Sequence, residues 1–205
     1  MDIAGGINGG LRRLPAWSIY LAGAAYAIWE FWRALNQLGP YLVEPINVLE
    51  RSYGEIALKL LVVGLLVTPL RKWTGVNLIK FRRAIGVTAF FFVLAHFLVF
   101  AILDVQSLER VWTEVVKRPY VTVGMLSFLL LVPLAMTSNN FSVRQMGAAA
   151  WRKLHRLTYP AAILAALHYL WLVKGFQLEP IIYLGIILGL VATRYWASGR
   201  KRQIA

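Results

Sequence analysis

The chain has 205 residues, 59% of them hydrophobic, and its 22 lysines and arginines against 9 acidic residues give a net charge of +13. An ordinary soluble domain is about 45–50% apolar, so the surplus predicts a surface that faces lipid rather than water. A nucleic-acid-binding protein would explain the charge but not the long uncharged runs, so we set that class aside. The lack of cysteine excludes disulfides, thiolate-ligated iron–sulfur clusters and cysteine zinc sites.

Six apolar runs approach the length of about 20 helical residues that a hydrocarbon layer about 30 Å thick requires. In chain order they lie at 17–35, 54–70, 84–103, 119–137, 157–174 and 179–196. The first run keeps bulky aromatic residues to its end and no small-residue cleavage site follows, so we interpret it as a retained helix rather than a signal peptide. The connections are too short for a soluble domain. We therefore expect residues 1–205 to form one all-α domain with a core of about 17–196.

Basic residues are concentrated in alternate connections, and this pattern sets the orientation of a membrane protein. One set comprises the N-terminal tail, the second and fourth connections and the C-terminal end: Arg12, Arg13, Arg71, Lys72, Lys80, Arg82, Arg83, Arg144, Arg152, Lys153, Arg156, Arg194, Arg200, Lys201 and Arg202. The opposite set holds fewer: Arg51, Arg110, Lys117, Arg118 and Lys174. We therefore expect a polytopic bundle of six transmembrane helices in a bacterial inner membrane, with both termini cytoplasmic.

Two histidines occur at matching depths in the third and fifth predicted spans, which run in the same direction. His96 lies thirteen residues after Arg83, and His168 lies twelve residues after Arg156. At about 1.5 Å per helical residue, they lie about 20 and 18 Å from the cytoplasmic edge. A membrane histidine can simply hydrogen-bond between helices. Two of the three histidines at one depth nevertheless favour a shared ligand.

The residues around this pair favour haem as that ligand. Zinc requires three or four protein ligands, and a proton pathway would need more acidic residues than Glu30 and Glu55. Haem iron needs two axial imidazoles and an apolar slot. Candidate slot residues, each also explicable as ordinary span filler, are Phe90, Phe91, Phe92, Leu94, Phe97, Leu164, Leu167 and Trp171. The chain has no CxxCH motif, so a haem would be bound non-covalently, as b-type.

His155 lies near the cytoplasmic edge, and Pro160 is expected to bend or restart the helix between it and His168. The separation of the two histidines suits two cofactors at different depths. On the third span, the depth of His155 is occupied by Arg82 or Arg83, so a second bis-histidine haem is not supported. His155 is a candidate for contact with a second haem, a flavin or a quinone, or it is a surface histidine. The neighbouring basic rim enforces topology, and some members are placed to pair with propionates or a flavin phosphate.

Two segments resemble the MsrQ (YedZ) family, which lies within the ferric-reductase-like transmembrane group. They are FRRAIGVTAFFFVLAH at 81–96 and TSNNFSVRQMGAAAWRKLHRLTYPAAILAALHY at 137–169. The resemblance covers nearly the whole chain and includes its length, the six spans and VTPL at the end of the second span. LHRLTY together with the following HY is its most specific part.

This resemblance implies haem ligation by His96 and His168, with His155 as a further haem-associated position. It implies one or two b haems and an FMN whose residues we do not assign. Family members receive electrons from the quinone pool or a cytosolic flavin reductase. They deliver them to a periplasmic molybdopterin-containing methionine sulfoxide reductase catalytic subunit. Larger relatives carry four histidines and a fused flavin and NADPH domain, so we expect this chain to use an external electron donor.

Two other functions stay open on the sequence. A stand-alone haem reductase of external iron or oxygen would share the haem but lack the protein partner. A proton-coupled transporter would need broken helices and internal repeats, for which Pro133 and Pro160 are weak signals. The electron-transfer subunit accounts best for the histidine pair.

Overall fold

The protein is mostly helical in the part that the computed structural model describes, which is the backbone of residues 3–173 and 175–202 and the side chains of residues 4–173 and 175–194. This confirms the predicted all-α class. Lys174 lies outside the described residues, as do the side chains of Arg200, Lys201 and Arg202, so their assignment to one side of the membrane stays a prediction. The helices are α1 Ile3–Arg13, α2 Ser18–Leu35, α3 Pro45–Thr74, α4 Arg82–Leu98, α5 Leu108–Lys117, α6 Pro119–Met136, α7 Asn140–Leu154, α8 Thr158–Leu172 and α9 Leu178–Arg202.

Every predicted span coincides with a helix, but two helices extend well beyond the predicted bounds. The last, α9, continues to Arg202 rather than ending at residue 196. The second span was predicted from residue 54, whereas α3 begins at Pro45. Proline at the first helical position is pre-organised for the helix. The first turns of α3 contain polar residues, so a search for apolar runs did not detect these turns. Glu50 therefore belongs to α3 and not to the connection before it. The third span continues from α4 into a π-helical turn, Val99–Asp104.

Among the described residues, three helical segments are long and apolar enough to cross a membrane: Pro45–Thr74, Ile79–Asp104 and Pro119–Met136. Only 39%, 33% and 17% of their most apolar windows are buried inside the protein. The remaining apolar surface is too extensive to face water, so the chain is a membrane protein. The 15-residue α8 is shorter than these segments. The six-span bundle and the orientation of the termini stay predictions.

The three helices that the sequence did not predict are α1, α5 and α7. Each is too short or too polar to be found as an apolar run. In α5, the apolar residues Leu108, Trp112 and Val116 recur every four residues and are 86%, 70% and 63% exposed. Asn139 caps α7 by accepting a hydrogen bond from the Ser142 backbone N–H at 2.7 Å, as expected of asparagine at this position.

The bundle is built from two helix pairs, α3 with α4 and α6 with α8, which make its most extensive helix contacts. On α8, Ala161, Ala162 and Ala166 are fully buried, and small residues of this kind allow close helix approach in membranes. The Ser127 hydroxyl of α6 donates to the Ala161 carbonyl at 2.8 Å. This bond fixes the second pair across its interface.

Connections that the sequence assigns to the cytoplasm are joined to one another in the structure. The Asn8 side chain of α1 donates to the Gly75 carbonyl, after the end of α3, at 3.1 Å. Arg83, at the start of α4, donates to the Asn140 side chain of α7 at 2.7 Å. The N-terminal helix and the second and fourth connections thus lie at one end of the bundle.

The helix restarts between His155 and His168, as expected, and it does so two residues before Pro160. A 3-10 turn, His155–Leu157, precedes α8, which begins at Thr158. Pro160 therefore lies in the first helical turn, where its missing N–H has no helical partner to lose. The two histidines are not on one continuous α-helix.

Candidate functional site

The structure brings His96 and His168 together. His96 lies near the end of α4 and His168 near the end of α8, and both side chains are half-buried. Their ring centroids are 6.2 Å apart and the ring planes are inclined by 71°. Two helices distant in sequence thus present imidazoles to each other at one level of the bundle.

Both imidazoles use the same ring nitrogen to hydrogen-bond to the protein backbone. Nδ1 of His96 lies 2.8 Å from the Glu50 carbonyl oxygen, and Nδ1 of His168 lies 2.7 Å from that of Tyr120. A carbonyl only accepts, so Nδ1 carries the proton in each ring and Nε2 keeps a lone pair. A backbone carbonyl on the second nitrogen is typical of histidines that bind metals. Both rings are therefore prepared as Nε2 ligands.

The separation of the rings fits two axial ligands of one iron. With a metal–nitrogen bond of about 2.0–2.1 Å and a ring centre about 1.1 Å beyond the nitrogen, two opposed imidazoles have centroids about 6.3 Å apart. The observed 6.2 Å agrees with this value. Ordinary aromatic packing covers the same range, so the shared Nδ1–carbonyl arrangement is what favours a metal.

The remaining donor groups suit a macrocycle better than a bare ion. Within the part of the chain that the structure describes, no group of three or more histidines, aspartates and glutamates is placed to hold a metal ion. Haem iron receives four nitrogens from the porphyrin and needs only two from the protein. His96 and His168 together fit that requirement.

The apolar residues predicted to surround the histidine pair lie in different environments. Phe128 of α6 stacks on Phe97 and Phe90 of α4, with centroids 5.2 and 6.0 Å apart. Phe92 instead is 3% exposed and packs against Tyr53 of α3, with centroids 5.8 Å apart. Phe92 thus packs in the α3–α4 core, which is the alternative of ordinary span packing that the sequence left open. Phe91, Leu167 and Trp171 are exposed.

His155 lies apart from this pair, in a polar setting of its own. Its Nε2 hydrogen-bonds with the Thr137 hydroxyl at 3.1 Å, and its ring stacks on Trp151 at 3.8 Å. Trp151 in turn donates to the Thr137 carbonyl at 2.8 Å. Burial, and then the nearby positive charges of Arg82 and Arg83, lower the pKa of His155 below its ordinary value of 6.5. Arg82 and Arg83 thus lie near His155, as the depth estimate from the sequence predicted.

Sequence reasoning missed the residues that support the histidine pair, Gly54 on α3 and Gly124 on α6. A Cβ atom built on either glycine would lie against a histidine ring, His96 or His168 respectively. The signal was present in the sequence. A glycine inside a helix costs about 1 kcal/mol relative to alanine, so an isolated one suggests a close contact.

Comparisons with known proteins confirm the family resemblance noted in the sequence. The sequence family described as ferric reductase like transmembrane component matches residues 53–166. Proteins named "Protein-methionine-sulfoxide reductase heme-binding subunit MsrQ" from Brucella ovis, Brucella canis and Brucella suis are 43% identical over 180 residues, covering 87% of this chain and 80% of each relative. No solved structure matches the chain. The chain belongs to the MsrQ family of ferric-reductase-like transmembrane proteins.

Proposed function

We propose that this protein is a transmembrane electron-transfer subunit that holds b-type haem between His96 and His168. The observation that carries the proposal is the histidine pair itself, with ring centroids 6.2 Å apart and both Nδ1 atoms bound to backbone carbonyls. The Brucella relatives are named as heme-binding subunits, which is consistent with this cofactor. A bound haem supplies reversible one-electron chemistry, while the protein sets its position and potential.

The residues of the chain have three tasks in this proposal. His96 and His168 would hold the iron through Nε2. The carbonyls of Glu50 and Tyr120 orient their rings. The stacked rings around Phe128 provide apolar surface on α4 and α6, and such a shell controls solvent access, dielectric and hence potential.

The proposed acceptor of the electrons is a periplasmic molybdopterin-containing methionine sulfoxide reductase catalytic subunit, which repairs oxidised methionines. The proposed donor is the quinone pool or a cytosolic flavin reductase, with FMN as a further cofactor. His155, with Arg82 and Arg83 nearby, marks the proposed inner contact with a second haem, a flavin or a quinone. The proposed location is the bacterial inner membrane, with both termini in the cytoplasm.

Haem analysis of single-histidine variants tests this function. The purified protein should show a dithionite-sensitive b-type spectrum. We expect His96→Ala and His168→Ala each to abolish the signal of the haem between α4 and α8, because one remaining imidazole leaves the iron without its second axial ligand. His155→Ala is the matched control and should retain that signal. Quantitative haem and flavin analysis of each variant provides the measurement.

Normal haem content in both His96→Ala and His168→Ala would contradict the proposal. The same preparation distinguishes a stand-alone reductase. Reduced protein should transfer electrons to the purified periplasmic molybdoenzyme faster than to ferric iron or oxygen, whereas the stand-alone enzyme would show the opposite preference.

A further inference from the structure

On the α3–α4 pair, the carbonyl that holds the histidine lies one helical turn before a glycine. The Glu50 carbonyl accepts from Nδ1 of His96 at 2.8 Å, and Gly54 follows four residues later. A Cβ atom built on Gly54 would lie 3.2 Å from Nδ1 and 3.4 Å from Cε1 of His96. These distances are tighter than ordinary van der Waals contact. The ring therefore occupies the space that any other residue's side chain would take.

The α6–α8 pair repeats this arrangement with a closer approach. The Tyr120 carbonyl accepts from Nδ1 of His168 at 2.7 Å, and Gly124 follows four residues later. A Cβ atom on Gly124 would lie 2.8 Å from Nδ1, 3.0 Å from Cε1 and 3.1 Å from Cγ of His168. Side-chain carbon and ring cannot both occupy these positions.

Helix geometry explains why the carbonyl and the glycine are four residues apart. The Cα–Cβ bond tilts toward the helix N-terminus, so a side chain covers the turn before its own Cα. A helical carbonyl gives one lone pair to the N–H four residues later and keeps a second. Glycine at that later position leaves room for an imidazole N–H to reach the second lone pair from the side.

We propose that Gly54 and Gly124 are positioning residues that fix the rotation of the two axial imidazoles and thereby set the ligand-plane angle and reduction potential of the haem. This inference rests on the proposed function, haem ligation by His96 and His168. A hydrogen bond to a rigid helix carbonyl removes the freedom of each ring to turn about its side-chain bonds. Each bond also makes the imidazole a stronger donor, which favours the ferric state.

Alanine at these two positions provides the test, in the full-length purified protein. The g-values of a low-spin ferric haem with two imidazoles depend on the angle between the ligand planes. We expect Gly124→Ala to change the largest g-value and to shift the midpoint potential to a more positive value. Haem affinity should fall about 10-fold or more, as when a metal-bound histidine loses its outer partner. Gly54→Ala should show the same changes to a smaller extent, because its contact is less close.

Two other glycines of the bundle serve as matched controls. On α4, Gly86 has nothing within 4 Å of a built Cβ atom, so Gly86→Ala should leave all three readouts unchanged. On α2, a Cβ atom at Gly23 would lie 2.5 Å from Thr88 Cγ2, away from both histidines. Gly23→Ala should therefore lower the thermal stability without changing the g-value or the potential.

Wild-type g-values, potential and haem affinity in both Gly54→Ala and Gly124→Ala would overturn the inference. It would also be overturned if Gly23→Ala reproduced their changes, since the effect would then be general loosening. If Gly124→Ala yields no folded protein by gel filtration, Gly54→Ala decides alone. Unchanged glycine variants alongside haem loss in the histidine variants would leave the proposed function intact. Normal haem in the histidine variants would instead refute that function first.

Discussion

The three histidines of this chain occupy two kinds of environment. His96 and His168 hydrogen-bond to main-chain carbonyls of neighbouring helices. His155 instead bonds to the Thr137 hydroxyl and stacks on Trp151 at the opposite end of the bundle. The first kind fixes a ring for ligation. The second leaves the ring open to titration.

The charge state of His155 should couple the stability of the protein to pH. Burial, followed by the charges of Arg82 and Arg83, lowers its pKa in the folded protein. The unfolded chain therefore takes up this proton first as the pH falls. Stability from the neutral ring is fully present above the ordinary pKa of about 6.5 and is lost as the pH falls toward the lowered folded value.

Thermal unfolding of the haem-loaded protein in detergent measures this dependence. We expect the Tm to fall between about pH 7.5 and about pH 5.5, and to fall less in His155→Gln. In Arg83→Gln, removal of a positive charge raises the pKa of His155, so the fall should again be smaller than in the wild type. An identical fall in all three proteins would refute the role of His155.

For single residues, the sequence predicted which two histidines lie together but not the orientation of their rings. Depth rises linearly along a helix, so counting from Arg83 and Arg156 was enough to predict that His96 and His168 share one level. The rotation of each ring depends on a carbonyl and a glycine of another helix, of which Gly124 is the closer. Such contacts leave no periodic pattern within a single helix.

Among the elements, α2 is joined to α3 by a buried hydrogen-bonded cluster around Glu30. Glu30 is 4% exposed and accepts hydrogen bonds from Arg33 at 3.0 Å, from Ser52 of α3 at 3.3 Å, and from Tyr41 of the 3-10 turn between them. A buried charge requires partners of this kind. The sequence had placed Glu30 only near the outer end of a span, so burial of the carboxylate was not foreseen.

Removal of the Glu30 carboxylate should destabilise the bundle much more than removal of an exposed one. We expect Glu30→Ala to lower the free energy of unfolding by about 2–3 kcal/mol, less than for a fully buried pair because the Arg33 side chain is 26% exposed. The control is Glu44→Ala, since exposed Glu44, in the connection before α3, accepts from the Asn47 side chain at 3.1 Å, and a surface contact of this kind contributes only about 0.5 kcal/mol or less. Denaturant unfolding followed by circular dichroism compares the two. Equal losses would show that the cluster contributes no more than a surface pair.

Prediction of helices from the sequence succeeded for the uniformly apolar helices. It failed for helices that combine an apolar face with a polar one. All six apolar runs are helical, yet α5 was missed. Its apolar residues Leu108, Trp112 and Val116 occupy one face only, and a search at helical period would have found them. The sequence of the π turn Val99–Asp104 cannot be distinguished from that of an apolar α-helix. The π turn differs in its main-chain hydrogen bonds, which side-chain patterns do not reveal.

For the whole molecule, the predicted orientation can be tested directly because the chain contains no cysteine. Single cysteines introduced at exposed positions report which side they occupy. We expect Glu109→Cys, in α5, to react with a membrane-impermeant thiol reagent in intact cells, because its connection carries little positive charge. Gly9→Cys and Gln145→Cys should react only after permeabilisation. Labelling of Gly9→Cys and Gln145→Cys in intact cells, with protection of Glu109→Cys, would show that the topology is the reverse of the predicted one. Any disagreement between Gly9→Cys and Gln145→Cys would refute the predicted number of spans.

The main-chain acceptors have a consequence for how this bundle tolerates evolutionary change. Glu50 and Tyr120 share no side-chain chemistry, yet each contributes the same carbonyl oxygen to a histidine. Neutral drift at positions 50 and 120 therefore leaves the histidine bonds in place, whereas drift at 54 and 124 does not. We therefore expect the histidine pair to depend on the absence of side chains at positions 54 and 124 as well as on the presence of the imidazoles.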